Sequence, residues 1–93
     1  MRLVVQTRAA RDLDKILVWI AKDNPRAALA MVERIEARMQ RLASGTFARR
    51  ARLGRIAGTH ELVEPPYVIV YRVFEKRNEL HVLAIIHGAR RRR

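Results

Sequence analysis

Two periods alternate along this chain. Ala9, Leu13, Ile16, Leu17 and Ile20 recur at helical spacing, with Arg11, Asp12, Asp14 and Lys15 on the wet face and Thr7 where an N-cap belongs. That pattern predicts a helix over 7–22. Asp23-Asn24-Pro25 marks a corner. Asn24 can cap, Pro25 suits the first helical position because its missing N–H would be unpaired there, and the residue before a proline resists continuing a helix. A second helix is predicted from Pro25 to about Ala43, striped by Ala28, Leu29, Val32, Ile35, Glu36, Met39 and Leu42, with Ala27, Ala28 and Ala30 allowing close approach to the first helix. Ser44 and Gly45 end it.

Elsewhere β-branched and aromatic residues dominate. Arg2 to Gln6 reads as a first strand and His60 to Val63 as a second, broken by Pro65-Pro66. Tyr67 to Phe74 and Glu79 to His87 follow, joined by Glu75, Lys76, Arg77 and Asn78 as an antiparallel hairpin. Their long apolar runs imply a central position under the helices. The fold class is therefore α+β, ordered β-α-α-β-β-β, with the helical hairpin packed on a small antiparallel sheet. Residues 1–93 make one domain, because two cores would each bury too little surface, and Arg90 to Arg93 form a basic tail. Thr46 to Gly58 lacks a period and reads as a basic loop or short helical turn.

Charge sharpens the picture. Twenty Lys and Arg against nine Asp and Glu give a formal +11, and nearly all the cations are Arg. Arg offers a planar fork matched to phosphate and carboxylate, so the partner should be anionic: nucleic acid or an acidic protein segment, with simple colloidal solubility as the bland alternative. Cysteine is absent, which excludes disulfides and thiolate metal sites. No apolar run approaches the roughly 20 residues that span a bilayer. A cytoplasmic protein without membrane attachment, metal or cofactor is expected.

Candidate chemistry gathers at the end of the chain. Val68, Val70 and Arg72 should share one sheet face, opposite Ile69, Tyr71 and Val73, so Arg72 interrupts an apolar pattern. Its head must reach the sheet edge, an acid such as Glu61 or Glu64, or a bound anion. Leu83, Ile85 and His87 should alternate with Val82, Ala84 and Ile86. His87 could act as a base on a ribose 2′-hydroxyl while Arg72 and Arg90 stabilise phosphate charge, all three meeting at one phosphate. The plain role for His87 is a hydrogen bond to a loop or the chain end. Arg49, Arg50, Arg52 and Arg55, with no acid among them, are either a contact surface for phosphates or an acidic partner, or a solvated face. Trp19 lies beside the helix stripe and is expected in the core or between helices, with a partner contact as its other role. The three histidines lack metal-motif spacing, and no phosphate-cradling Gly motif or nucleophile elbow occurs.

Asp12-Leu13 with Ile16, the Asp23-Asn24-Pro25 corner followed by Ala27-Ala28, Glu61-Leu62, Tyr67-Val68-Ile69-Val70-Tyr71-Arg72 and His87-Gly88-Ala89-Arg90 together resemble the ParE/RelE superfamily of type II toxins. The likeness runs from about residue 3 to 90. It implies a cognate antitoxin that wraps the toxin as a hetero-oligomer, contacting the exposed faces of the first two helices and the basic surface near the sheet, with DNA engaged only indirectly through the antitoxin. RelE-like members cut messenger RNA in the ribosome with basic residues and a histidine or tyrosine near the chain end. ParE-like members are similar to inhibitors of DNA gyrase and lack that set. The Asn24-Pro25 corner and the His87-Gly88-Ala89-Arg90 ending look ParE-like, and the tail closes on four arginines instead of a catalytic Tyr or Lys. The resemblance thus favours a gyrase-binding toxin, with a ribosome-dependent endoribonuclease as the alternative; whether the chain is an enzyme stays open. A small nucleic-acid-binding module built on the Arg49 to Arg55 loop is a third reading, weakened because aromatic residues do not interleave with the cations.

Overall fold

The computed structural model describes residues 1–89, so the expectations for Arg90 and the rest of the tail lie outside the described residues. The elements follow the expected order: β1 (Arg2–Val5), α1 (Thr7–Ala21), α2 (Pro25–Ser44), β2 (His60–Glu64), β3 (Tyr67–Phe74) and β4 (Glu79–His87), with single 3-10 turns at Phe47–Arg49 and Glu75–Arg77. Asn24 caps α2 by accepting the Ala27 N–H at 3.0 Å, and Pro25 opens the helix. The expected Thr7 cap is corrected. Thr7 is already helical, Gln6 occupies the cap position, and no side chain closes that end.

The four strands run in the order β1-β4-β3-β2. β2, β3 and β4 are antiparallel neighbours, but β1 lies parallel to β4, making the sheet mixed. Parallel pairing needs a long crossover, and the α1-α2 hairpin is the first part of the chain that separates β1 from its partner. The N-terminal ammonium group of Met1 donates to the Ala43 carbonyl at 2.8 Å, which ties the start of β1 to the last turn of α2.

One face of the sheet meets the helices. Leu13 and Ile16 from α1, Ile35, Met39 and Leu42 from α2, and Ile69, Tyr71, Leu80, Val82 and Ile85 from the sheet form the core. Each such side chain contributes about 1.5–3 kcal/mol by leaving water. Leu29, expected on the α2 stripe, is instead exposed. Val68, Val70 and Ala84 form a smaller cluster on the opposite face. The simple alternation expected for β4 is broken at Leu83: Val70 pairs with Ala84 and Tyr71 with Val82, leaving Leu83 as the extra residue of a bulge. A bulge reverses which residues face the core, so Leu80 and Val82 join Ile85 there.

β1 ends at Val5, and Gln6 N–H donates to the Val82 carbonyl. Beyond that point the exposed edge of β4 needs another acceptor. Asp12 supplies it from α1, taking the Ile85 N–H on its carboxylate at 2.9 Å. Asp12 therefore belongs to the helix–sheet seam and not to the solvated face.

Candidate functional site

The basic segment after α2 is folded. Ala48 and Ala51 enter the core, and the buried Tyr71 hydroxyl donates to the Ala48 carbonyl at 2.8 Å. Burial pushes the Tyr71 pKa up to about 12, so this phenol stays protonated and structural. Residues 52–54 then lie along the outer edge of β2: Glu61 N–H donates to the Arg52 carbonyl at 2.9 Å, Gly54 N–H donates to the Thr59 carbonyl at 2.8 Å, and Leu53 bridges to His60. The basic loop is thus a short hairpin extension of the sheet, which covers part of an edge that would otherwise present unpaired amides.

Its turn is braced from below. Thr59 is buried and donates both its N–H and its hydroxyl to the Ile56 carbonyl, at 3.1 and 2.6 Å. The buried Glu61 carboxylate accepts the Arg55 N–H at 3.3 Å and lies 3.6 Å from the Arg52 guanidinium. Arg72 approaches the carbonyls of Ala57 at 3.2 Å and Gly58 at 3.4 Å. Arg72 was expected to meet an acid, the sheet edge or an anion. It reaches loop carbonyls, because Glu61 is held by Arg52 and Glu64 by Arg34 and Arg38 at 3.5 and 3.3 Å.

The expected convergence of His87 with Arg72 is also corrected. His87 pairs with Tyr67 at the start of β3, on the helix-side face, whereas Arg72 lies near the other end on the opposite face. The two are separated by roughly 17 Å of strand. His87 is exposed, its Nδ1 accepts the Ala89 N–H at 3.1 Å, and its ring meets Tyr67 edge-on, which is the plain role. The histidine beside Arg72 is His81, its register partner on β4. Its two ring nitrogens are engaged, Nδ1 with Gln6 at 3.2 Å and Nε2 with Glu79 at 2.9 Å, and Phe74 packs against it. The His81 contact first and Arg2 second hold the Glu79 carboxyl below its usual range. Neither Glu79 nor His81 stood out in the sequence; their i, i+2 spacing on β4 was the available signal.

The other predicted residues scatter around the molecule. Arg49 forms a two-pronged pair with Glu75 at 2.6 and 2.9 Å, while Arg50, Arg52 and Arg55 lie on the exposed side of the basic segment. Trp19 is not in the core: it is 69% exposed, with the Lys22 ammonium 5.3 Å above its ring. Trp19, Val18, Asp14, Lys15 and Lys22 line a shallow depression of about 270 Å³ on α1. A second depression, about 300 Å³, lies among Arg38, Arg41, Leu42, Phe47 and Leu62. It has an apolar floor and a guanidinium rim. Among the described residues no group of His, Cys, Asp or Glu could hold a metal ion, and no helix is long and apolar enough to cross a membrane.

Residues 3–92 match the profile of the ParE toxin of the type II toxin–antitoxin system parDE. The chain belongs to the ParE toxin family. The toxin is 39% identical over 83 residues to Y4kP of Sinorhizobium fredii, covering 87% of this chain and 81% of that one. It is 32% identical to Toxin RelE1 of Caulobacter vibrioides, across 97% of this chain and 96% of the relative. Its fold superposes with a TM-score of 0.79 on a chain of the chromosomal ParDE TA system from P. aeruginosa, at 26% identity over 94% of the toxin and 95% of that chain. A chain of the Mycobacterium tuberculosis toxin–antitoxin complex RelBE2 shares the fold at a TM-score of 0.56 and 23% identity, over 92% of the toxin and 95% of that chain.

Proposed function

We propose that this toxin arrests growth by binding DNA gyrase and that a cognate antitoxin neutralises it as a hetero-oligomer. The observation that carries this reading is how Arg72 and His87 are used. One guanidinium braces loop carbonyls, and the imidazole at the strand end sits on the other face, so among the described residues Arg72 and His87 do not meet at one phosphate as base and cation. Membership of the ParE family supports the same branch.

The antitoxin contact follows from two surfaces, one on α1 and one where α2 meets Phe47 and β2. The Trp19 depression offers an aromatic anchor flanked by Lys15 and Lys22, and the Leu42-Phe47-Leu62 depression offers an apolar floor beneath Arg38 and Arg41. Both suit an acidic amphipathic segment that orders on binding. A Trp19→Ala toxin should keep its unfolding midpoint and lose at least about tenfold in antitoxin affinity by titration calorimetry. Unchanged affinity would remove Trp19 from that interface.

Mapping transcript ends after induction separates binding from cleavage. New ends that accumulate before growth stops, and that disappear in a His87→Ala variant, would replace this reading with the endoribonuclease.

A further inference from the structure

We propose that the 52–59 hairpin is the projection that docks the toxin onto its target, seating Leu53 and Ile56 in an acid-rimmed apolar pocket of a folded protein. The inference rests on the binding-toxin reading above and adds the surface that would do the work.

Leu53 and Ile56 are 74% and 65% exposed, within a segment that also carries Arg50, Arg52 and Arg55. Displayed aliphatic side chains set among cations complement a pocket that is apolar inside and acidic around its mouth. Phosphate would engage the arginines yet give the aliphatic side chains nothing, and the hairpin lacks the aromatic platforms on which bases stack. A protein surface rewards both.

The backbone that presents them is held in place. The Gly54–Thr59 and Arg52–Glu61 hydrogen bonds, the Thr59 hydroxyl, the Glu61 carboxylate and the Arg72 guanidinium all act on residues 52–59. Gly54 passes so close to Thr59 that a Cβ there would lie 2.2 Å from the Thr59 hydroxyl, and Gly58 holds a φ of +81°. A pre-ordered projection loses little entropy on docking into a concavity that already exists. An antitoxin segment that folds on binding needs the reverse shape, a groove to lie in, and the depressions on α1 and between α2, Phe47 and Leu62 provide one. The two partners accordingly use separate surfaces.

The test compares the parent toxin with a Leu53→Ser/Ile56→Ser variant and with Arg50→Glu. All three side chains are exposed, so folding should be unaffected, and antitoxin titration reports it independently. Growth arrest on graded induction should weaken at least about tenfold for the double variant and also fall for Arg50→Glu, while antitoxin affinity stays within about threefold of the parent. A double variant as toxic as the parent would overturn the proposal. So would loss of antitoxin affinity in step with toxicity, or an effect of Arg50→Glu alone, which marks a phosphate contact. If the parent leaves gyrase supercoiling untouched but the double variant still loses growth arrest, the hairpin stands and the gyrase assignment falls.

Discussion

Asp12 carries a contact that its sequence position conceals. Its carboxylate takes the Ile85 N–H where β1 has run out, so an Asp12→Ala protein buries an amide without an acceptor. The expected loss is about 1–3 kcal/mol in urea denaturation. Asp12→Asn, whose amide oxygen can still accept, should recover part of it. Glu75 and Glu79 make a different statement. Hydrogen bonding from Arg49 holds the Glu75 carboxyl below its ordinary value of 4.5, and His81 and Arg2 do the same for Glu79. A folded-state pKa below the unfolded one stabilises at pH above the unfolded value and is lost as the pH falls through the folded one. The denaturation midpoint should therefore decline as acid is added below pH 4.5. A Glu75→Gln/Glu79→Gln protein should show a shallower decline, and an identical acid profile would contradict the assignment. The Arg49–Glu75 pair is exposed, so salt should shrink its share of the difference, whereas Glu79 and His81 are half-buried and screened less.

At the scale of elements, the hairpin over 52–59 depends on a glycine for space. The Cβ of a Gly54→Ala variant would meet the Thr59 hydroxyl at 2.2 Å and the Glu61 Cγ at 3.3 Å. That crowding should cost about 1–3 kcal/mol and loosen the hairpin, read as a lower unfolding midpoint and faster amide exchange at residues 54 and 59. Unchanged exchange would show that the turn yields without strain. The helices were legible because Leu13, Ile16, Ile35, Met39 and Leu42 repeat with a helical period and because Asn24-Pro25 is local punctuation. The hairpin was not, since its shape is imposed by the side chains of Thr59 and Glu61 just past the basic run and of Tyr71 and Arg72 on the next strand, none of which the run itself announces. Strand β4 was found with the correct bounds, but one extra residue at Leu83 shifted the faces, and periodicity alone carries no sign of a bulge.

Across the whole molecule, the sheet separates two surfaces. The helical hairpin, with Trp19 and the Arg38-Arg41 depression, covers one side of the sheet, while Arg72 and the braced hairpin tip approach the other. A net charge of +11 favours encounter with anionic surfaces. The sequence showed the cations without showing their distribution. Arg72 and His87 looked close because both end strands, yet antiparallel register puts His87 beside Tyr67 and leaves Arg72 beside His81. Trp19 departs from its expected core position for a similar reason: a helix stripe several residues wide does not say which side of its border a neighbouring aromatic occupies, and here it faces water.

The proposed function is that this toxin poisons by occupying a protein and not by cutting RNA. Its most direct test is a supercoiling assay in which purified gyrase and relaxed plasmid are titrated with the toxin. The account expects supercoiling to fall with rising toxin and to recover on addition of the cognate antitoxin, with His87→Ala as inhibitory as the parent. Full supercoiling at a large molar excess of folded toxin would contradict it.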